Sequence, residues 1–115
     1  MISIFGIPNC DTMKKARIWL QQHDIDYQFH DFKKQGLDAT LLDGWIKQVG
    51  WETLLNRRGM MWRKLSDAQK QNIDAASARQ IMLEMPGIIK RPVLSVDGKI
   101  HVGFNDSRYQ EIFNA

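Results

Sequence analysis

The apolar positions of the first thirty residues change their period twice, which predicts a strand, a helix and a second strand. Residues 2–5 alternate between two faces, and the turn residues Gly6 and Pro8 follow. In Thr12–His23 the apolar residues recur at helical spacing. Tyr27–Phe32 is aromatic-rich and roughly alternating, which is typical of a strand. Because the helix is long enough to cross over, we expect the two strands to be parallel, with a right-handed crossover.

The middle of the chain carries the start and stop signals of several short helices. Asp38 can cap a helix, and Gly50 stands where a glycine would end it. Two further helix starts have the spacing of a capping box, in which paired side chains satisfy exposed N–H groups: Ser66-x-x-Gln69 and Ser77-x-x-Gln80. These signals predict a helical insertion over about residues 38–87.

After the insertion the chain returns to a strand pattern. Val93-Leu-Ser-Val meets Asp97-Gly98, the dipeptide favoured in a type I′ hairpin turn, and Ile100–Val102 follows. Asn105 or Asp106 can cap a terminal helix. The order βαβ, helices, ββα predicts an α/β fold with a mixed four-stranded sheet. We expect one domain over residues 1–115.

Composition narrows the classes of function. With 43% hydrophobic and 25% charged residues the chain is close to the globular average. One cysteine excludes an intrachain disulfide framework and a cysteine-rich zinc site. The net charge of +3, without a clustered basic stripe, favours small anions over nucleic acid. Neither a membrane span nor a signal peptide is recognisable, so we expect a cytoplasmic protein, monomeric and without membrane partners.

The strongest candidate for chemistry is Cys10, which lies between the first strand and the first helix. The N–H groups and the positive dipole end of a helix start stabilise a thiolate, the reactive form of cysteine. A lone cysteine is more often a small buried hydrophobe, but this placement favours the functional interpretation. Asp11 would raise the thiol pKa, so Lys14, Lys15 or a more distant arginine would have to compensate. Position 13 is a methionine, and any disulfide exchange must therefore use an external thiol.

Two arginine clusters are the next candidates. Arg91 precedes Pro92 and a predicted strand. Its guanidinium can bind carboxylates or oxyanions, and the proline that follows it can be cis. Arg57 and Arg58 follow an apolar pair that indicates a short helix, with Gly59 able to end it. Cations are also expected at a helix C-terminus, where they interact favourably with the helix dipole. A functional role and a purely structural role are therefore equally good interpretations of this arginine pair.

The histidines and tryptophans carry no comparable signal. The three histidines lack the spacing of a metal site, and we predict no metal. Trp19 and Trp45 lie on helical apolar faces, which favours core packing over base stacking. No glycine-rich phosphate loop is present.

Three segments together resemble the arsenate reductase ArsC/Spx family, with the closest likeness to its YffB branch. They are Gly6-Ile-Pro-Asn-Cys10-Asp-Thr, Leu54-Leu55-Asn56-Arg57-Arg58-Gly59 and Arg91-Pro92-Val93. The resemblance covers essentially the whole chain. It implies a thioredoxin-like fold with a helical insertion, a cis-proline at Pro92 facing the thiol loop, and Cys10 as the catalytic thiol.

The same resemblance suggests roles for the arginines. Three arginines assist the cysteine of glutathione-coupled arsenate reductases, and Arg91 matches one of them. The second aligns near Asn56, with Arg57 and Arg58 as neighbouring substitutes. The third aligns with Phe104, and Gly6 replaces a histidine of those enzymes. These departures argue against arsenate reduction.

The leading hypothesis is a glutathione-dependent thiol reductase that acts through Cys10 on disulfide or glutathionylated substrates. Glutathione is a cosubstrate, and no bound cofactor is expected. Thr12 would orient the sulfur, Arg91 with Arg57 or Arg58 would hold a glutathione carboxylate, and the backbone beside Pro92 would pair with the peptide. One alternative is glutathione-dependent arsenate reduction, with an oxyanion in the same basic pocket. Another is a noncatalytic adaptor that binds a transcription partner, as the Spx branch does.

Overall fold

Strand β1 (Ile2–Gly6) is the organising element of the computed structural model, which describes residues 1–115. Its neighbours are β2 (Gln28–Asp31), parallel to it, and β3 (Val93–Val96), antiparallel to it. β4 (Lys99–Val102) pairs antiparallel with β3, so the strand order is β2-β1-β3-β4. The predicted α/β class and mixed four-stranded sheet are confirmed.

The chain divides into two compact units. The sheet unit comprises residues 1–34 and 91–115, and the helical unit comprises residues 35–90. The insertion predicted over residues 38–87 falls within the helical unit. The assignment of residues 1–115 to a single domain stays a prediction.

The core of the sheet unit forms around α1 (Asp11–Gln22), whose apolar residues recur every three or four positions and so lie on one face. Trp19 is 3% exposed, which confirms its assignment to the core. The buried residues of this core come from α1, β1, β3 and α8 (Asp106–Phe113): Ile4, Met13, Ala16, Trp19, Leu20, Leu94 and Tyr109. This packing fixes α1 on the sheet and thereby fixes where the helix begins.

The β3–β4 hairpin has the predicted turn. Asp97 has φ 50° and Gly98 has φ 89°. Positive φ at both central residues is the requirement of a type I′ turn, and glycine meets it without steric cost. After β4, Asn105 caps α8, and its Oδ1 accepts the backbone N–H of Arg108 at 2.9 Å.

Between the two segments of the sheet unit the chain forms short helices, as predicted. Trp45 is 1% exposed, so it too belongs to a core. An isolated antiparallel bridge between Leu55 and Ile89 joins distant parts of the helical unit. α2 (Phe32–Gln35) lies where the first segment of the sheet unit ends. The helices that follow are α3 (Ala39–Val49), α4 (Trp51–Leu54), α5 (Met60–Arg63), α6 (Asp67–Gln71), α7 (Ala75–Glu84) and a 3₁₀ turn (Pro86–Ile88).

Two of the predicted helix starts in this unit are confirmed. The Asp38 carboxylate accepts the backbone N–H of Leu41 at 3.2 Å and caps α3, and Gly50 follows that helix with φ 86°. Ser66 and Gln69 form the expected capping box at α6, each side chain accepting the other residue's backbone N–H.

The third predicted start was placed three residues too late. Ser77 is not the cap of α7, because the capping residue is Asp74 and Ser77 is its partner in the box. The Asp74 carboxylate accepts the N–H of Ser77 at 2.8 Å, and the Ser77 hydroxyl accepts the N–H of Asp74 at 2.9 Å. A serine serves in either position of a capping box, so the spacing to Gln80 alone did not identify which one it occupies.

We predict that Asn105→Ala destabilises the protein by about 1 kcal/mol, because it leaves a backbone N–H at the start of α8 without its acceptor. Urea unfolding followed by circular dichroism measures the change. Ser107→Ala, an exposed substitution in the same helical turn, is the control and should stay within about 0.5 kcal/mol of the native protein. Equal stability of the two variants would contradict the capping role.

Candidate active site

Cys10 lies at the start of α1, four residues after the end of β1. It is the N-cap residue, with φ −109° and ψ 128°, and its carbonyl accepts the N–H of Lys14 at 3.0 Å. Serine or aspartate at this position would use its side chain to cap the helix, but the Cys10 side chain makes no capping hydrogen bond. The sulfur is partly buried and lies beside the unpaired N–H groups of the first turn.

Two backbone N–H groups, the Arg91 guanidinium and partial burial determine the direction in which the pKa of this thiol is shifted. Burial opposes ionisation and raises the pKa, since it removes the thiolate from water. The backbone N–H of Met13, a hydrogen bond and the positive charge of the Arg91 guanidinium, and the backbone N–H of Thr12 all favour the thiolate. The contacts outweigh burial, and the pKa of Cys10 lies below its ordinary value.

The sheet register brings Arg91 to Cys10. β1 and β3 are antiparallel, with Phe5 opposite Val93, so the chain leaves β1 at the edge where it enters β3. Cys10 follows β1 at this edge, and Arg91 immediately precedes β3. The Arg91–Pro92 peptide bond is cis, and the Pro92 carbonyl accepts the N–H of Gly103 at 2.8 Å. The cis-proline prediction is confirmed.

The groups that assist the thiol differ partly from the expected ones. Lys14 and Lys15 are exposed and do not contribute to lowering the Cys10 pKa, whereas Arg91 does. Asp11 is exposed in the first turn and does not raise that pKa. Thr12 acts through its backbone N–H and not through the hydroxyl.

The sequence analysis missed the N–H of Met13, which is the largest of the favourable contributions to the Cys10 pKa. Met13 falls on the apolar face of the helix predicted over Thr12–His23, and its side chain is fully buried. A helix start exposes the N–H groups of several consecutive residues. The position of Cys10 at a helix start therefore predicts nearby backbone N–H groups, whichever side chains follow it.

Arg57 and Arg58 lie in the turn between α4 and α5 of the helical unit, and both are exposed. The backbone N–H of Arg58 donates to Asn56 Oδ1 at 3.0 Å. The Arg57 guanidinium carbon lies 5.9 Å from the centre of the Trp51 ring and 5.5 Å from that of Trp62, which is cation–π distance. Their part in substrate binding stays a prediction.

Gly59 does not end a helix as predicted. α4 ends at Leu54, and Gly59, with φ −88° and ψ 172°, precedes α5. A Cβ at this position would lie 2.9 Å from the Asn56 side-chain nitrogen, so the Asn56 side chain would have to shift. The two arginines therefore belong to a tight turn and not to a helix C-terminus.

Neither a metal site nor a membrane-spanning helix is found in the structure. The structure contains no group of three or more histidine, cysteine, aspartate or glutamate side chains arranged to hold a metal ion. None of its helices combines the length and the apolar character needed to cross a membrane.

A thiol at the start of the first helix, beside a cis-proline that precedes an antiparallel strand, defines the thioredoxin-like class of folds and sites. Within that class the ArsC family model matches residues 5–112, and the chain belongs to the ArsC family.

Known relatives and solved structures agree with this assignment. A Haemophilus influenzae protein, itself uncharacterized, is 42% identical over 98% of this chain and 99% of its own. The solved YffB protein superposes with a TM-score of 0.92 at 47% identity, covering 96% of this chain and 97% of that one, which confirms the likeness to the YffB branch. An arsenate reductase (ArsC) related protein from Brucella melitensis is 57% identical over 99% of this chain and 95% of its own, with a TM-score of 0.80.

Relatives with a different role also match. The global transcriptional regulator Spx of Staphylococcus epidermidis is 26% identical over 92% of this chain and 82% of its own length. This chain is thus similar both to an arsenate reductase-related protein and to a transcriptional regulator.

We predict that Arg91→Ala raises the pKa of Cys10, because it removes both a hydrogen bond to the thiolate and a nearby positive charge. Alkylation by iodoacetamide near neutral pH should slow several-fold, since a rise of one pKa unit reduces the thiolate roughly tenfold. The rate is measured against pH, and its midpoint gives the pKa.

Lys90→Ala is the matched control, because it removes one positive charge from the exposed neighbouring residue. Its alkylation midpoint should equal that of the native protein. Iodoacetamide is neutral, so removing a positive charge from the protein does not change the electrostatic attraction of the reagent. Equal midpoints in Arg91→Ala and the native protein would show that the guanidinium does not stabilise the thiolate.

Proposed function

We propose that this protein is a glutathione-dependent thiol reductase in which Cys10 is the nucleophile. The supporting observation is the thiol at the start of α1, whose pKa is lowered by two backbone N–H groups and the Arg91 guanidinium despite partial burial. The chain has no other cysteine, so no second thiol within it releases a mixed disulfide. A low-pKa thiol without a resolving partner requires an external thiol to complete a cycle.

The reaction then takes two exchanges. The Cys10 thiolate attacks the glutathionyl sulfur of a glutathionylated substrate, an S–S bond forms between Cys10 and glutathione, and the substrate leaves as a thiolate that takes a proton from water. The thiolate of a second glutathione attacks the glutathionyl sulfur of this mixed disulfide, which releases glutathione disulfide and restores the Cys10 thiolate. Across the two exchanges, one substrate sulfur is reduced and the sulfur of the incoming glutathione is oxidised, while the glutathionyl sulfur stays in a disulfide throughout.

Arg91 serves two purposes in this scheme. Its guanidinium stabilises the Cys10 thiolate, the form in which the sulfur attacks and the form in which it leaves. A guanidinium also carries five N–H donors in a planar fork that suits a carboxylate, so the same side chain can hold a carboxylate of glutathione. The backbone beside Pro92 pairs with the peptide of glutathione as an added strand, and Thr12 orients the sulfur through its N–H.

On the family resemblance alone, Arg57 or Arg58 is proposed to assist Arg91 in holding a glutathione carboxylate. The hydrogen bond from the Arg58 N–H to Asn56 shapes their turn, and the Trp51 and Trp62 rings flank the Arg57 guanidinium. A guanidinium held in place by aromatic rings loses less side-chain entropy when it binds a carboxylate.

Replacing Cys10 by Ser should abolish turnover of a glutathionylated peptide in an assay that couples glutathione disulfide formation to glutathione reductase. The hydroxyl of serine does not ionise in the range where the thiolate attacks, so no mixed disulfide forms. Ser95→Ala, a substitution within β3, is the control for activity lost during preparation of a variant, and it should retain turnover. Turnover that survives in Cys10→Ser would exclude this mechanism.

Arsenate reduction is a second candidate, which the 57% identical arsenate reductase-related protein favours. Here an arsenate oxyanion would occupy the basic site beside Arg91, and glutathione would supply the electrons. Phe104 and Gly6 stand where glutathione-coupled arsenate reductases carry an arginine and a histidine, so we expect purified protein with arsenate and glutathione to form no arsenite above the Cys10→Ser background. Arsenite formation that depends on Cys10 would instead establish this activity.

An adaptor role is a third candidate, which the match to Spx regulators favours. A dithiol switch inside this chain is excluded by its single cysteine, so such a role would not use an intrachain disulfide. Recovery of RNA polymerase subunits in stoichiometric yield with the native protein would support this role.

A further inference from the structure

Phe104 lies at the edge of the sheet that carries the candidate site, two residues after the end of β4. β4 runs antiparallel to β3, so β4 ends where β3 begins. The hydrogen bond from the Gly103 N–H to the Pro92 carbonyl, 2.8 Å long, continues this pairing past the end of β4. The next residues on the two paired segments are Phe104 and Arg91. Phe104 therefore lies beside Arg91 and the cis-proline.

The ring of Phe104 is fixed against the core of the sheet unit but is not enclosed by it. Its centre lies 4.7 Å from that of Tyr109, with the ring planes at 87°, an edge-to-face contact. Tyr109 is fully buried and packs in the same way on Trp19. Phe104 remains partly exposed, and Cys10 packs against the same core. A fixed and partly exposed aromatic ring thus borders the core that the reactive thiol also borders.

The chemistry of this ring differs from that of its neighbour. The Arg91 guanidinium suits a carboxylate, whereas a phenyl ring offers apolar surface and neither accepts nor donates a strong hydrogen bond. Apolar contact is favourable in proportion to the apolar area that both partners remove from water. Glutathione has no large apolar side chain, so the ring suits the molecule that carries the glutathionyl group better than glutathione itself.

We propose that Phe104 is a specificity-determining residue: its ring contacts the substrate beside the glutathionylated cysteine and selects substrates with an apolar side chain there. The substrate class is then glutathionylated proteins or peptides in which large aliphatic or aromatic residues flank the modified cysteine. The inference rests on the proposed function, because it requires that Cys10 takes the glutathionyl group from such a substrate. Phe104 takes no part in the transfer of electrons or protons.

Phe113 provides a matched comparison at another place on the same core. Its ring also packs on Tyr109, with the centres 6.1 Å apart, and it too is partly exposed. It is the last residue of α8, whereas Phe104 precedes the helix. α8 rises by about 10 Å between its first and last residues, so Phe113 is removed from the sheet edge that carries the site.

The test compares two hexapeptides glutathionylated on their single cysteine, one with the sequence Leu-Cys-Leu at its centre and the other with Asn-Cys-Asn. Leucine and asparagine have similar shapes and neither is charged, so attraction to Arg91 does not separate the peptides. Both share the second exchange with glutathione, so the ratio of their kcat/KM values reports the first exchange. The native protein should favour the leucine peptide by about tenfold or more.

The variants assign this preference to one ring. Phe104→Ala should reduce the ratio several-fold, mainly by lowering kcat/KM for the leucine peptide, and Phe104→Leu, which restores apolar surface, should recover most of it. Phe113→Ala should keep the native ratio. Both alanine variants lose a ring contact with Tyr109 and should lower the melting temperature, so a loss of stability alone does not reproduce the expected pattern.

Two results would overturn the inference, and they differ in what they leave standing. If the native protein turns over both peptides with equal kcat/KM, or if Phe104→Ala keeps the native ratio, Phe104 does not select the substrate, while the thiol reductase function stands. If the native protein turns over neither peptide, the proposed function itself fails, and the inference fails with it.

Discussion

The pairing of β1 with a strand on each side is the constraint on which the rest of this structure depends. β2 runs parallel and β3 antiparallel to it, so the end of β1 lies at the edge where β3 begins. The chain leaves this edge through the Cys10 loop and returns to it through Arg91 and the cis-proline Pro92. The packing of α1 on the same sheet then fixes the direction in which the first-turn N–H groups point. Topology, and not proximity in sequence, assembles the site.

The chemistry of the site is a competition between burial and hydrogen bonding. Partial burial raises the pKa of the Cys10 thiol, and a lone cysteine in such a place would stay protonated and inert. A hydrogen bond to a charged group generally contributes about 1.5–3 kcal/mol. The N–H groups of Met13 and Thr12 and the Arg91 guanidinium together outweigh the burial, which is why the pKa is lowered.

Much of the fold could be predicted from the sequence because its signals are local. Strand β1, the Asp97-Gly98 turn and the Asn105 cap each depend on a few adjacent residues, and each is confirmed. The start of α7 was misplaced because serine fits either position of a capping box. Gly59 was misassigned because α4 ends at Leu54, before the arginines, and Gly59 instead precedes α5.

The site was predictable in part for the same reason. The helix-start position identified Cys10, and the X-Pro dipeptide together with the resemblance identified Arg91 and Pro92. The choice between Lys14, Lys15 and Arg91 as the compensating charge needed the sheet register, which is a long-range property.

The most direct test of the account is intact-mass spectrometry of the protein, quenched with acid during turnover of a glutathionylated peptide. The account predicts one glutathione on Cys10, which disappears when excess glutathione is added and never forms in Cys10→Ser. Turnover without any glutathione adduct on Cys10 would contradict the claim that this thiolate is the nucleophile.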